Sequence, residues 1–254
     1  MPSLPDPQIL TVGAGDSARR IAYRRIAGTG PTIVWLGGFK SDMKGTKAEA
    51  LSDFAAQTGR SYLRFDYSGH GESSGRFEDG TISAWTEEAL AAIALAGEAP
   101  ILVGSSMGGW IALLAARRMP RPPAGMVLIA PAADFTEALM WKAFPEAVKR
   151  QIETEGRWVR PSDYDEGGYP ITRALIEDGR NNLVLGGLIE TGCPVHVLQG
   201  MQDPDVPWQH AMDTVARIAR DDVVVTLVKD GDHRLSRPED ITRLTEAVAA
   251  MAGG

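Results

Sequence analysis

Apolar positions along the chain fall into two alternating rhythms. Short β-branched or continuous apolar runs occur at 8–12, 20–25 ("RIAYRR"), 32–37 ("TIVWLG"), 61–67 ("SYLRFDY"), 101–104 ("ILVG"), 125–130 ("GMVLIA"), 195–200 ("VHVLQG") and 223–230 ("VVVTLVKD"). Runs of this length between polar and glycine-rich clusters predict strands, the first two as an N-terminal hairpin. Helical apolar spacing fills the gaps at about 45–58, 83–96, 106–118, 207–219 and 238–251. Strand alternating with helix predicts an α/β fold: a mostly parallel central sheet with helices on both faces, because parallel neighbours need crossover connections. The rhythm breaks at about 131–193, where Trp141, Phe144, Trp158, Tyr164 and Tyr169 stand among many charges without an evident sheet strand. This stretch reads as a helical lid or binding element inserted into one domain spanning 1–254, its aromatics either lining a pocket or anchoring the insertion.

Composition narrows the function classes. Apolar residues make up 44% and charged residues 23% of the 254, the balance of a globular chain. A formal net charge of -7 opposes binding to nucleic acid or anionic lipid, both of which call for clustered Lys and Arg. No apolar run approaches the ~18 residues of a membrane span. The single cysteine, Cys193, cannot form an intrachain disulfide and reads as a small residue at the start of a strand. The N-terminal "MPSLPDPQIL" carries acid and prolines where a secretory signal needs a basic end and an apolar core, so a cytoplasmic location is expected.

The chemistry concentrates at strand ends. In "ILVGSSMGGW" the frame Gly104-Ser105-Ser106-Met107-Gly108 fits G-x-S-x-G between a strand and a helix, the context of a nucleophile elbow. The frame selects Ser106 over Ser105, because residues two before and two after the turning residue are crowded and must lack side chains; centring on Ser105 would put Val103 and Met107 there. A helix beginning at the turn offers unpaired N–H groups toward a developing anion.

A serine hydroxyl needs a histidine to take its proton and a carboxylate to hold that histidine. Of four histidines, His196 falls inside an apolar run, His210 inside a predicted helix and His70 inside the glycine-rich turn "SGHGESSG". His233, in "KDGDHRLS" after the last predicted strand, lies where open α/β sheets collect active-site groups, and is the candidate base. In "LQGMQDPDVPW" Asp203 is the first acid beyond a strand end and the preferred third member; Asp205 reads as a cap for the helix near Pro207. The order Ser, Asp, His follows. The loop "WLGGFKSDM" supplies a second oxyanion donor, the backbone N–H of Phe39, beside that of Met107.

Together these segments resemble the α/β-hydrolase superfamily over nearly the whole chain. "GTKAEAL", "LRFDYSGHGESSG", "GSSMGGW", "GMQDPDVPW" and "GDHRLSRPEDI" are more closely similar to abhydrolase-domain palmitoyl-protein thioesterases and mycophenolic acid acyl-glucuronide esterases. The resemblance implies Ser106 as nucleophile, Asp203 as acid and His233 as base, acting on an ester or thioester of a small molecule or an acylated protein, with no cofactor or metal. Known members of that group include mitochondrial proteins, but "MPSLPDPQIL" has no Arg-rich transit segment. Two readings compete: a non-catalytic hydrolase-fold protein that binds a small ligand, and a triad acyltransferase or peptidase. A dinucleotide fingerprint in "SGHGESSG" fails because Ser74 stands where the third glycine is needed.

Overall fold

A computed structural model describes residues 6–161 and 167–253. Eight strands form one sheet in the order β1 (Gln8–Val12), β2 (Arg19–Ile26), β4 (Arg60–Phe65), β3 (Thr29–Leu36), β5 (Ile101–Ser105), β6 (Gly125–Ile129), β9 (Val195–Gly200) and β10 (Val223–Val228). From β4 to β10 all neighbours are parallel; β1 and β2 form the antiparallel N-terminal hairpin, and β2 runs antiparallel to β4.

The central strands are apolar throughout because helices cover both faces. Alternate side chains feed separate cores. Val34 and Leu36 point to the face covered by α2 (Ile82–Ala94) and α3 (Met107–Ala116), with Trp85 and Trp110, whereas Ile33 and Trp35 meet Leu51 of α1 (Thr46–Thr58) and Leu244 and Val248 of α7 (Pro238–Met251). The predicted helix at 207–219 is shorter, α6 (Trp208–Val215). Backbone pairing claims its end: Ile189 bridges Ile218, donating to Arg217 O at 2.7 Å and accepting from Ala219 N–H at 3.0 Å. No helix among the described residues is long and apolar enough to cross a membrane.

The stretch between β6 and β9 departs from the helical expectation. It contains a π-helical turn (Thr136–Met140), a 3₁₀ turn (Trp141–Ala143), α4 (Glu146–Glu155) and α5 (Arg173–Arg180), but also an antiparallel pair, β7 (Arg157–Arg160) and β8 (Tyr169–Thr172). Four-residue strands are too short to display an alternating pattern, which is why neither shows in the sequence. Trp158 packs edge-on against Phe144 with centroids 5.2 Å apart, and Trp141 lies under Arg180 and Lys149 at 4.9 and 5.9 Å. Both tryptophans fasten the segment together; Tyr164 lies outside the described residues. Cys193, buried just before β9, has its thiol pushed up to about 12 by burial.

Candidate active site

Ser106 occupies the turn between β5 and α3 with φ 55° and ψ −118°, a backbone conformation that costs free energy for any side-chain-bearing residue. Its neighbours hold it there. Its N–H donates to Ile129 O at 2.8 Å and its carbonyl accepts from Gly109 and Ala132 N–H at 2.9 and 3.1 Å. The flanking glycines are needed for two different approaches: a methyl on Gly104 would meet Gly108 O at 2.4 Å, and one on Gly108 would meet Leu36 O, at the end of β3, at 2.1 Å.

Asp203 and His233 come together from the loops after β9 and β10. His233 Nδ1 lies 2.8 Å from Asp203 Oδ2, with the carboxylate fully buried and the imidazole 23% exposed. Asp203 Oδ1 accepts the Asp205 and Val206 N–H groups, each at 2.8 Å, and Oδ2 also accepts from Gln199 Nε2 at 3.3 Å. The two loops approach closely because Gly200 has no side chain; a methyl there would meet Gly231 O at 2.4 Å. Asp205 does not cap α6, whose N-cap is Pro207 without a side-chain bond; its carboxylate lies 3.9 Å from Arg160 Nη2 instead. The remaining histidines are bonded elsewhere. His196 Nε2 meets Thr226 Oγ1 at 2.9 Å on adjacent strands, and His210 Nε2 meets Ala133 O at 2.8 Å from α6.

The loop after β3 passes directly over the elbow. A methyl on Gly38 would sit 3.4 Å from Ser105 O and 3.5 Å from Ser106 Cβ, so any side chain here would come into van der Waals contact with the serine turn. Neither the Phe39 nor the Met107 N–H has a hydrogen-bond partner among the described residues. The Phe39 ring is wedged between Phe77, Phe135 and Trp85 at centroid distances of 4.8, 5.6 and 6.0 Å.

Ser106, Met107, Phe39 and His233 all open onto one cavity of about 690 Å³. Phe135, Leu139 and Met140 of the segment after β6 form an apolar wall, and Lys40, Arg160, Asp205 and Ser236 a polar one. Of the segment's aromatics that the sequence singles out, Tyr169 lines the cavity and Trp141 and Trp158 do not. No hydrogen bond joins Ser106 Oγ to His233 among the described residues.

Residues 33–244 match the model of a family described as "Alpha/beta hydrolase family". The chain belongs to that family. This hydrolase is 39% identical over 223 residues to the mouse (Mus musculus) "Palmitoyl-protein thioesterase ABHD10, mitochondrial", a match covering 87% of the chain and 75% of the relative. Among solved structures it is similar to a putative hydrolase from Agrobacterium vitis S4, 50% identical with a TM-score of 0.94, the match covering 97% of this chain and 98% of that one. It is likewise similar to the mouse alpha/beta hydrolase domain-containing protein 10, 35% identical with a TM-score of 0.86 over 96% of this chain and 98% of that one. The mitochondrial names of the curated relatives overturn the cytoplasmic location expected from the N-terminal sequence. That expectation rested on ten residues lacking a recognisable address, and the lack of one signal is not a physical reason for any compartment.

Three side chains around the hydrolase's site escape sequence reasoning. Gln199, wholly buried in β9, donates from Nε2 to Gly200 O at 2.9 Å and Val206 O at 3.0 Å as well as to Asp203, fixing the loop that carries Asp203. Its signal was a polar residue inside an apolar run. Lys47 reaches from α1 to the carbonyl of Arg234, next to His233, and to Ser236 Oγ at 3.5 Å. His70 bonds to the backbone of Lys40. As for metal, Asp203, Asp205 and His233 offer one ligand atom each within 4.8 Å of one another. A cation there would have to displace the N–H donors on Asp203 and the proton that His233 Nδ1 shares with it, so these residues fit a hydrogen-bonded triad better than a metal centre.

Proposed function

We propose that this protein is a serine hydrolase that cleaves carboxylic esters or thioesters through Ser106, His233 and Asp203 and an acyl-enzyme intermediate. The observation that carries the reading is the 2.8 Å bond from His233 Nδ1 to Asp203 Oδ2 beside the cavity on which Ser106 opens. With Nδ1 held by the carboxylate, Nε2 is left as the base, and the contact to Ser106 Oγ closes when substrate is bound. Ser106 Oγ attacks the acyl carbon as its proton passes to His233. The Phe39 and Met107 N–H groups take the negative charge of the tetrahedral oxygen, and the imidazolium protonates the departing thiolate or alkoxide. Water, activated by the same histidine, then releases the acid.

In this reading the whole chain is one domain, and the stretch at about 131–193 is a lid over the cavity. Its apolar wall of Phe135, Leu139 and Met140 takes the acyl chain. The named activity of the mouse relative makes S-palmitoyl thioesters the first substrates to try. The test is intact mass after incubation with a fluorophosphonate, in wild type and Ser106→Ala. A single adduct on the wild type that is lost in the variant is expected, with labelling slowed more by an S-palmitoyl peptide than by an acyl glucuronide. Loss of thioester turnover and adduct together identifies the nucleophile; an adduct that survives in Ser106→Ala rules the assignment out.

A further inference from the structure

The turn "SGHGESSG" after β4 plays no part in the reaction as written, yet its histidine is among the most buried polar residues, 4% exposed. The His70 ring is packed edge-on to Phe77, Trp85 and Tyr67 at centroid distances of 5.1, 5.3 and 5.8 Å. Both ring nitrogens are bonded to backbone. Nδ1 lies 3.0 Å from the carbonyl of Ser68, which can only accept, so Nδ1 carries the proton. Nε2 is therefore left with its lone pair, and Lys40 N–H donates to it at 3.1 Å.

Lys40 is the residue after Phe39 and sits at φ 55°, in the left-handed region that side chains disfavour. Something must hold that peptide. The bond to His70 holds the Phe39–Lys40 peptide and the wedged phenyl ring holds the Phe39 side chain, so the Phe39 backbone is restrained from two directions. A second tie secures the far end of the same loop: Asp66 accepts Met43 N–H at 2.7 Å on one oxygen and Glu72 N–H at 2.8 Å on the other. The glycine between them in the turn is obligatory, since a methyl on Gly71 would meet Asp66 Oδ2 at 2.1 Å.

We propose that His70 is a positioning residue of the oxyanion hole, accepting the Lys40 N–H as a neutral imidazole and so aiming the Phe39 N–H at the carbonyl that Ser106 attacks. The inference rests on the proposed reading of Phe39 and Met107 as oxyanion donors. Burial supports it by lowering the His70 pKa to about 4, with Lys40 adding to the lowering and the Ser68 carbonyl and Asp42 opposing it, which keeps the lone pair available at neutral pH. An imidazolium would have no acceptor to offer.

Two substitutions separate acceptor from packing. His70→Gln places an amide oxygen near Nε2 and gives up the ring; His70→Phe keeps an aromatic ring and gives up the acceptor. With a short-chain aryl ester, His70→Phe is expected to lose about 10- to 100-fold in kcat with KM little changed and the pH profile of kcat/KM unmoved, while His70→Gln keeps most of its rate. Melting temperature should rank the variants in the opposite order. Wild-type kcat in His70→Phe, or a folded His70→Gln as slow as His70→Phe, overturns the proposal. Nitrogen-15 spectra of wild-type protein decide it without a variant: a neutral ring protonated on Nδ1 at pH 7 is required, and an imidazolium or the Nε2–H tautomer refutes it. Failure of wild-type Ser106 to take a fluorophosphonate would count against the parent reading instead, and is scored separately.

Discussion

Ser106 stores strain at the turn where the proposed reaction calls for its nucleophile. A side-chain-bearing residue at φ 55° and ψ −118° persists only because the surrounding backbone over-determines it. Gly104 is one of its supports, and Gly104→Ala would drive a methyl to 2.4 Å from a backbone oxygen that cannot rotate away. An overpacked position of this kind is expected to cost about 2 kcal/mol, or roughly 4–8 °C in Tm by differential scanning fluorimetry. Gly45→Ala, whose new methyl comes no closer than 3.5 Å to Asp42 O, should leave Tm nearly unchanged and serves as the control. Ser106, Asp203 and His233 could be picked out from sequence as candidates because a serine, an acid and a histidine each stand just beyond a strand end, and Phe39 and Met107 by loop position alone, since a backbone N–H needs no particular side chain. Gln199, Lys47 and His70 could not be, because their roles come from neighbours distant in the chain: Lys47 reaches Arg234, and His70 reaches back to Lys40.

Elements set the relation between the loops, and α1 is joined to the His233 loop by one ammonium. Lys47 donates to the carbonyl of Arg234 and to Ser236, and burial lowers its pKa to about 8, with Asp232 and Asp240 pulling it up and Arg234 pushing it down. The folded value lies below the unfolded one of 10.5, so between these limits the unfolded chain binds more protons and the Lys47 contribution to stability rises with pH. Lys47→Met, similar in length and uncharged, should therefore gain stability relative to wild type below about pH 8, and the gap should narrow as pH rises toward 10.5 in urea titrations. Its kcat should fall by about 10-fold with KM held, because the loop carrying His233, the proposed base, has lost an anchor. The pair β7 and β8 belongs to the same scale. It was invisible in sequence because four-residue strands give no period, whereas the parallel strands, apolar on both faces, announce themselves.

Across the whole molecule, the candidate groups sit at the carboxyl ends of β3, β5, β9 and β10, with β5 carrying Ser106 between β3 and β6 in the middle of the sheet. Cys193 lies at the opposite end of β9, buried, with a thiol held protonated by its surroundings. Iodoacetamide at pH 8 should leave the folded protein unmodified and alkylate it only as it unfolds, read as one added carbamidomethyl group by intact mass. The strained turn at Ser106 and the silent thiol then form a complementary pair of chemical reporters. The proposed serine nucleophile exists only while β3, β5 and β6 hold their register, and the thiol appears only when that register is lost. Heating the protein with both reagents present would count folded and unfolded molecules in a single mass spectrum, each marked by the residue its state makes reactive.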